Sequence, residues 1–246
     1  MTSTIRYYSM IALLLLAMQG TFWWASFGRL PDLGVVPDNI TNEEMQMLSF
    51  GDPQLLFRIL AFRMNNAGDT FGRFTTLRDY DMEKIEQWFM QMDSLDNISN
   101  HPASMSAYYF SQTQHTPDVR HLINYLYEHS KNRPEEKWWW LTQATYLALH
   151  KLEDSDLALK VAKPLQGVEN IPYWAQQMPA FVYEKRGELE DAYLIMRAIL
   201  ESEQDMEQSE INYMKYFIEE RLERMQEEEA ALLEKKQKQL DTASDK

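Results

Sequence analysis

An all-α fold is predicted for this 246-residue chain by three features of its composition and pattern. Glycine (8) and proline (9) are scarce for the length. Leu, Met, Ala, Glu, Gln and Lys, which keep their rotamer freedom in helices, are plentiful. Apolar residues recur at three- and four-residue spacing, and no stretch alternates with period two long enough to argue a sheet. A hydrophobic content of 45%, with 13% aromatics, is ample for a buried core.

The first element is YYSMIALLLLAMQGTFWWAS, which carries no charge between Arg6 and Arg29. At about 1.5 Å per residue it is long enough to cross about 30 Å of hydrocarbon. A cleaved signal peptide also begins with a charge followed by an apolar run, but the run here exceeds the usual apolar region and no clean A-x-A-like site follows. Trp23 and Trp24 sit where an interfacial aromatic belt would end a span. Residues 1–29 are therefore expected to be an N-terminal anchor, or an uncleaved signal, that contacts the membrane through residues 7–25. Arg6 and the free amine on one side, against Arg29 with Asp32 and Asp38 on the other, lean towards an inside N-terminus. The expectation is a single-pass protein of a bacterial inner membrane with its C-terminal domain in the periplasm.

Residues 30–41, LPDLGVVPDNIT, have two prolines, a glycine and no helical period, and are expected to be a tether. A helical domain is expected over 42–208. Thr41 and Glu44 form a capping-box pattern, and Asp52-Pro53 starts a helix with Leu55, Leu56, Ile59, Leu60 and Met64 expected on one side. Asp81 opens MEKIEQWFMQM, where Ile85, Trp88, Phe89 and Met92 fall at i, i+3, i+4 and i+7. Further starts are expected at Ala103, Pro117, Pro134, Asp156, Pro172 and Glu188. Residues 209–246 are expected to be a capping helix, with Ile211, Met214, Phe217, Ile218 and Leu222 on its apolar side, running into the charged tail QEEEAALLEKKQKQ. Ile211, Ile218, Met225 and Leu232 keep seven-residue spacing, but Arg221, Glu228 and Lys235 spoil a second seam, leaving dimerisation open.

Short helices in series raise the question of a repeat. In AFVYEKRGELEDAYLIMRAIL, Ala180, Tyr183, Gly187 and Ala192 have offsets 0, 3, 7 and 12. Ala144 and Ala158 mark a preceding copy whose turn, LEDSD, lacks the glycine, and Ala107, Phe110 and Val119 mark a weaker one. This pattern, over about 101–205, resembles the tetratricopeptide repeat (TPR), in which small residues let paired helices approach and glycine takes the turn. The resemblance implies a TPR-like α-solenoid, preceded by the single transmembrane helix and ended by the charged helix. It also implies a concave groove lined by Trp138, Leu141 and Thr145, then Trp174, Gln177 and Phe181, and in the weaker copy His101, Ser104 and Tyr108.

In the triplet KWWWL, consecutive residues lie about 100° apart on a helix and do not share a face. Trp138 is then the groove candidate, Trp140 packs within its repeat, and Trp139 meets a neighbouring helix or the array's edge.

No catalytic pattern is found: there is no HExxH, Walker loop, G-x-S-x-G or G-x-G-x-x-G, and no cysteine. His121 and His129, eight apart, are read as solvated or cap-side rather than ligands. A net charge of -14 disfavours nucleic acid. The expectation is a non-enzyme with no cofactor or metal, a membrane-anchored scaffold or adaptor for a protein or peptide partner. The alternative is an obligate structural subunit of a larger membrane complex without an open groove.

Overall fold

The computed structural model describes residues 2–26, 34–70, 73–202 and 206–220, with isolated positions 227, 230, 231 and 235. The chain is helical. Helix α1 spans Thr2–Ser26, and its Arg6–Ala25 stretch is long and apolar enough to cross a membrane and is 0% buried against the rest of the protein. Then come α2 (Asn42–Ser49), α3 (Pro53–Asn65), a two-residue antiparallel ladder of β1 (Asp69–Thr70) with β2 (Arg73–Phe74), and α4 (Met82–Leu95). Helix α5 (His101–Ser104) widens into a π turn over Met105–Tyr109. Helix α6 (Val119–Ser130) precedes α7 (Pro134–Tyr146), which also runs into a π turn, over Leu147–Lys151. Helices α8 (Ser155–Ala162), α9 (Tyr173–Gln176), α10 (Met178–Arg186) and α11 (Leu189–Leu200) follow, and α12 covers 208–220.

The helix starts are written locally. Thr41 Oγ1 accepts from the Glu44 amide at 3.2 Å while Glu44 accepts from the Thr41 amide at 2.7 Å, closing the expected capping box. Asp52, Asp81 and Asp154 cap α3, α4 and α8 by accepting from the amides of Leu55, Lys84 and Leu157. At the turn before α11, Gly187 takes φ 77°; in the turn before α8, which lacks a glycine, Glu153 takes the left-handed position instead, at φ 55°. The β ladder escaped the sequence reading because two residues per strand cannot show alternation.

Packing runs mainly from neighbour to neighbour: α3 on α4, α4 on α6, α6 on α7, α7 on α8, α8 on α10, and α10 on α11. Ala144, Ala158, Ala180 and Ala192 are buried where these helices meet. Ile85, Trp88, Phe89 and Met92 of α4 are all in the core, as their spacing predicts. Met214 and Phe217 of α12 close a second, smaller core with Ala180, Ala192 and Met196. The charged continuation of α12, with Arg221, Leu222, Met225, Glu228 and Leu232, lies outside the described residues.

Two expectations change. The described part of the tether, residues 34–41, is docked: Val36 is buried, Trp88 Nε1–H donates to the Pro37 carbonyl at 3.0 Å, and Gln91 Nε2–H donates to that of Ile40 at 2.6 Å. These bonds and the Lys84–Asp38 ion pair strap the segment to α4. Helix α3 also does not place its apolar residues on one side. Leu56, Phe57, Leu60 and Met64 enter the core, whereas Leu55 and Ile59 face outward. The four buried residues already span about 100° of the helix surface, the width of one interface, and Ile59 and Leu55 fall about 60° and 100° beyond its edge.

Candidate functional site

Lys137, at φ -117° and ψ 17°, breaks the helical path one turn into α7. The tryptophans that follow do not separate as an ideal helix would have them. Trp138 and Trp139 lie edge to face with centroids 5.6 Å apart, and Trp174 from α9 packs between them, 5.4 Å from Trp138 and 6.1 Å from Trp139, at angles of 81° and 90°. Perpendicular contacts satisfy the indole quadrupoles, each contributing about 0.5–1.5 kcal/mol beyond area burial. Trp139 Nε1–H donates to the Tyr108 hydroxyl at 2.6 Å, which brings the π turn after α5 into the same patch. Trp139 is 38% exposed, Trp174 40% and Tyr108 50%, while Trp138 packs against the core from below. Trp140 turns inward, as expected, and donates to Asn100 Oδ1 at 2.9 Å.

The remaining groove candidates are placed differently. Leu141, Thr145 and Gln177 are buried, and the Thr145 hydroxyl donates to its own helix at the Leu141 carbonyl. Phe181 is covered by α12, packing on Tyr213 and Phe217. His101 and Ser104 are half-buried. What stays accessible is an aromatic patch of Trp139, Trp174 and Tyr108 over Trp138.

A buried polar chain lies at the start of the same helix. Asp93 of α4 accepts from His129 Nδ1–H at 2.5 Å and from the Tyr125 hydroxyl at 3.0 Å. Lys137 Nζ donates to His129 Nε2 at 2.7 Å and to the Asn97 carbonyl at 2.7 Å. With Lys137 charged, this assigns a neutral imidazole that bridges a cation to an anion. His129 is therefore not solvated, although it does lie in the last turn of α6; its side chain is 1% exposed. About two helical turns earlier, His121 pairs with Glu86 of α4 at 2.7 Å, so two histidines of α6 meet two carboxylates of α4. Burial pulls the Lys137 ammonium below its usual range, with Asp93 pulling back, and pushes the Tyr125 phenol well above its own. Burial also raises the Glu86 carboxyl, against the hydrogen bond from His121. Tyr125, His129 and Lys137 are buried, and the chain joins α4, α6 and α7. Its end, Lys137, carries the backbone break that directly precedes Trp138 and Trp139. Sequence reading missed it because Asp93 and Lys137 are 44 residues apart, and neither carries a local motif.

Among the described residues, no group of three His, Asp or Glu side chains is placed to hold a metal ion. Compared with protein-family models, curated proteins and solved structures, the chain matches none of them.

Proposed function

We propose that this protein is a membrane-anchored, non-catalytic helical-repeat scaffold that holds a protein or peptide partner beside the membrane. The observation that carries the reading is the aromatic patch: three interlocked tryptophans and a tyrosine, kept partly exposed on a rigid helical frame. Aromatics bury large area with few rotors, which is why they dominate interface hot spots. The serial packing of α6 to α11, with small residues at the helix contacts, supports a TPR-like solenoid as the frame. The apolar α1 supports a single membrane anchor, and the inner membrane of a bacterium, with the helical domain in the periplasm, is the setting proposed for it.

Burial of Leu141, Thr145 and Gln177 favours a second reading, an obligate subunit that docks through the patch and has no open groove. Pull-down of the full chain from solubilised membranes tests the first. Trp139→Ala with Trp174→Ala is expected to lose the co-purifying partner while helical content is unchanged. Equal partner yield from the folded variant sinks the patch as a docking surface. Recovery of the chain only in fixed ratio with the same partners would select the obligate subunit.

A further inference from the structure

Helix α3 has a second apolar stripe that the protein does not use. Its inner face enters the core through Leu56, Phe57, Leu60 and Met64, yet Leu55 (53% exposed), Ile59 (53%) and Phe62 (71%) point outward. At about 100° per residue these three fall within about 60° of one another, with Arg58 on one edge and Arg63 on the other. The helix, PQLLFRILAFRMN, carries no acidic residue in a chain whose net charge is -14. The nearest carboxylates along the chain are Asp52, engaged as the cap of α3, and Asp69, four residues past its end; Glu43 and Glu44 lie a helix away, with Glu44 engaged in the cap of α2.

The turn before α3 adds to the stripe. Phe50 closes α2 at φ 48°, a left-handed conformation that glycine or asparagine adopts at less strain, and it is 92% exposed. A phenylalanine is thus held out in solvent in an unfavourable backbone state. Met47, one turn back in α2, is 74% exposed. Apart from the aromatic patch of Trp139, Trp174 and Tyr108, exposed apolar side chains elsewhere in the helical domain include Leu194 and Ile98, far apart in the chain.

Position in the chain selects the occupant. From Ser26, the last residue of α1, to Gly34, the first described residue of the strap, there are eight Cα steps, which span at most about 29 Å. The strap is bonded to α4, and α2 and α3 are the next elements after it. The α2–α3 face is therefore held within reach of the surface from which α1 emerges. An apolar stripe flanked by arginines suits an interfacial helix, where the rings enter the acyl boundary and the guanidinium groups meet lipid phosphates.

We infer that the outer face of α3, with Phe50, lies on an anionic lipid bilayer and sets the orientation of the helical domain against the membrane. This rests on the proposed membrane anchor. The absence of cysteine allows a direct test on the full chain, reconstituted in vesicles of phosphatidylcholine and phosphatidylglycerol. Leu15→Cys, Ile59→Cys, Phe62→Cys and Glu83→Cys, each made singly, carry an environment-sensitive fluorophore, and lipids bearing a nitroxide near the headgroup or along the acyl chain act as quenchers.

The labels at 59 and 62 are expected to lose most of their emission to the headgroup quencher and that at 15 to the acyl quencher, while the label at 83, on the strap-bearing helix, stays bright. A quenched label at 15 with unquenched labels at 59 and 62 overturns the surface contact and leaves the anchor standing. No quenching at 15 overturns the anchor and this inference with it. Blue-shifted but unquenched emission at 59 and 62 means that protein, a second copy or a partner, covers the face, which also refutes the inference. Equal quenching at 83 reduces it to tether proximity.

Discussion

Asp93→Asn keeps the volume of the side chain and removes its charge from the buried chain that joins α4, α6 and α7. The bonds from His129 at 2.5 Å and from Tyr125 at 3.0 Å go to different carboxylate oxygens, and asparagine keeps only one acceptor, so one bond weakens and the other is lost. A hydrogen bond to a charged group contributes about 1.5–3 kcal/mol and a neutral one about 1, so the pair loses about 2–5 kcal/mol. Lys137, 3% exposed, is then left without the carboxylate that acts most strongly on it. Breaking a buried pair from one side is destabilising by about 3–5 kcal/mol, and since Asp93 keeps 15% side-chain exposure we expect the lower part of that range, about 3 kcal/mol. For a domain of this size that is a fall in melting temperature of about 6–12 °C.

Lys137→Met removes the cation instead, keeps the stem, and leaves Asp93 paired with His129; it is expected to be destabilising by less than about 1 kcal/mol. Denaturant unfolding of the wild type, both single variants and the double variant closes a thermodynamic cycle. The double variant is expected to be more stable than Asp93→Asn alone, with a coupling above about 1.5 kcal/mol. Additivity within about 0.5 kcal/mol would refute the reasoning, because it would mean that the two charges do not depend on each other. The pH dependence gives an independent check. The folded pKa of Lys137 lies below its ordinary 10.5, so the unfolded chain binds more protons in the window between the two values. Its contribution makes stability rise with pH through that window, and the rise is expected to shrink in Lys137→Met. Above about pH 10 the sign reverses for Tyr125 and for Tyr80, which burial pushes up to about 12, because the unfolded phenols ionise first.

Three further outcomes are expected. Gly68→Ala places a methyl 1.9 Å from the Tyr80 hydroxyl at a residue with φ +83°, so it should lower stability by more than about 2 kcal/mol; an unchanged melting temperature would mean that Tyr80 does not hold its bond to the Ala67 carbonyl. Trp88→Phe deletes the donor to Pro37 and should make residues 34–41 cleave faster in limited proteolysis, whereas a wild-type cleavage rate would show that the strap is held by other contacts. Truncation before residue 206 uncovers Phe181 and Met196, and is expected to give dye binding and self-association; a monodisperse, dye-silent truncation would contradict the packing of α12 on α10 and α11.

Much of the fold was legible because its signals are short-range. A capping aspartate, a proline in the first turn and a glycine at a left-handed turn act on amides within a few residues, so the starts of α2, α3, α4, α7 and α11 follow from the chain itself. The core face of α4 was equally readable, since its polar and apolar sides separate cleanly. Helix α3 was not readable in this way. It is apolar on two sides, and only the position of α4 decides which one is buried. The groove candidates show the same limit: Trp174 and Tyr108 keep exposed surface, while Leu141, Thr145 and Gln177 do not, although the resemblance assigns all five to one lining.

The sequence by itself determined where helices begin, which small residues let them approach, and that the first helix is apolar enough to span a membrane. Tertiary structure alone decided that Trp138, Trp139 and Trp174 interlock, that residues 34–41 strap onto α4, and that His129 joins Asp93 to Lys137. The reason is physical. Helix propensity and capping are settled by bonds across three or four residues, whereas these sites are made by side chains 35 to 51 positions apart, whose meeting depends on helix crossings that no local pattern encodes.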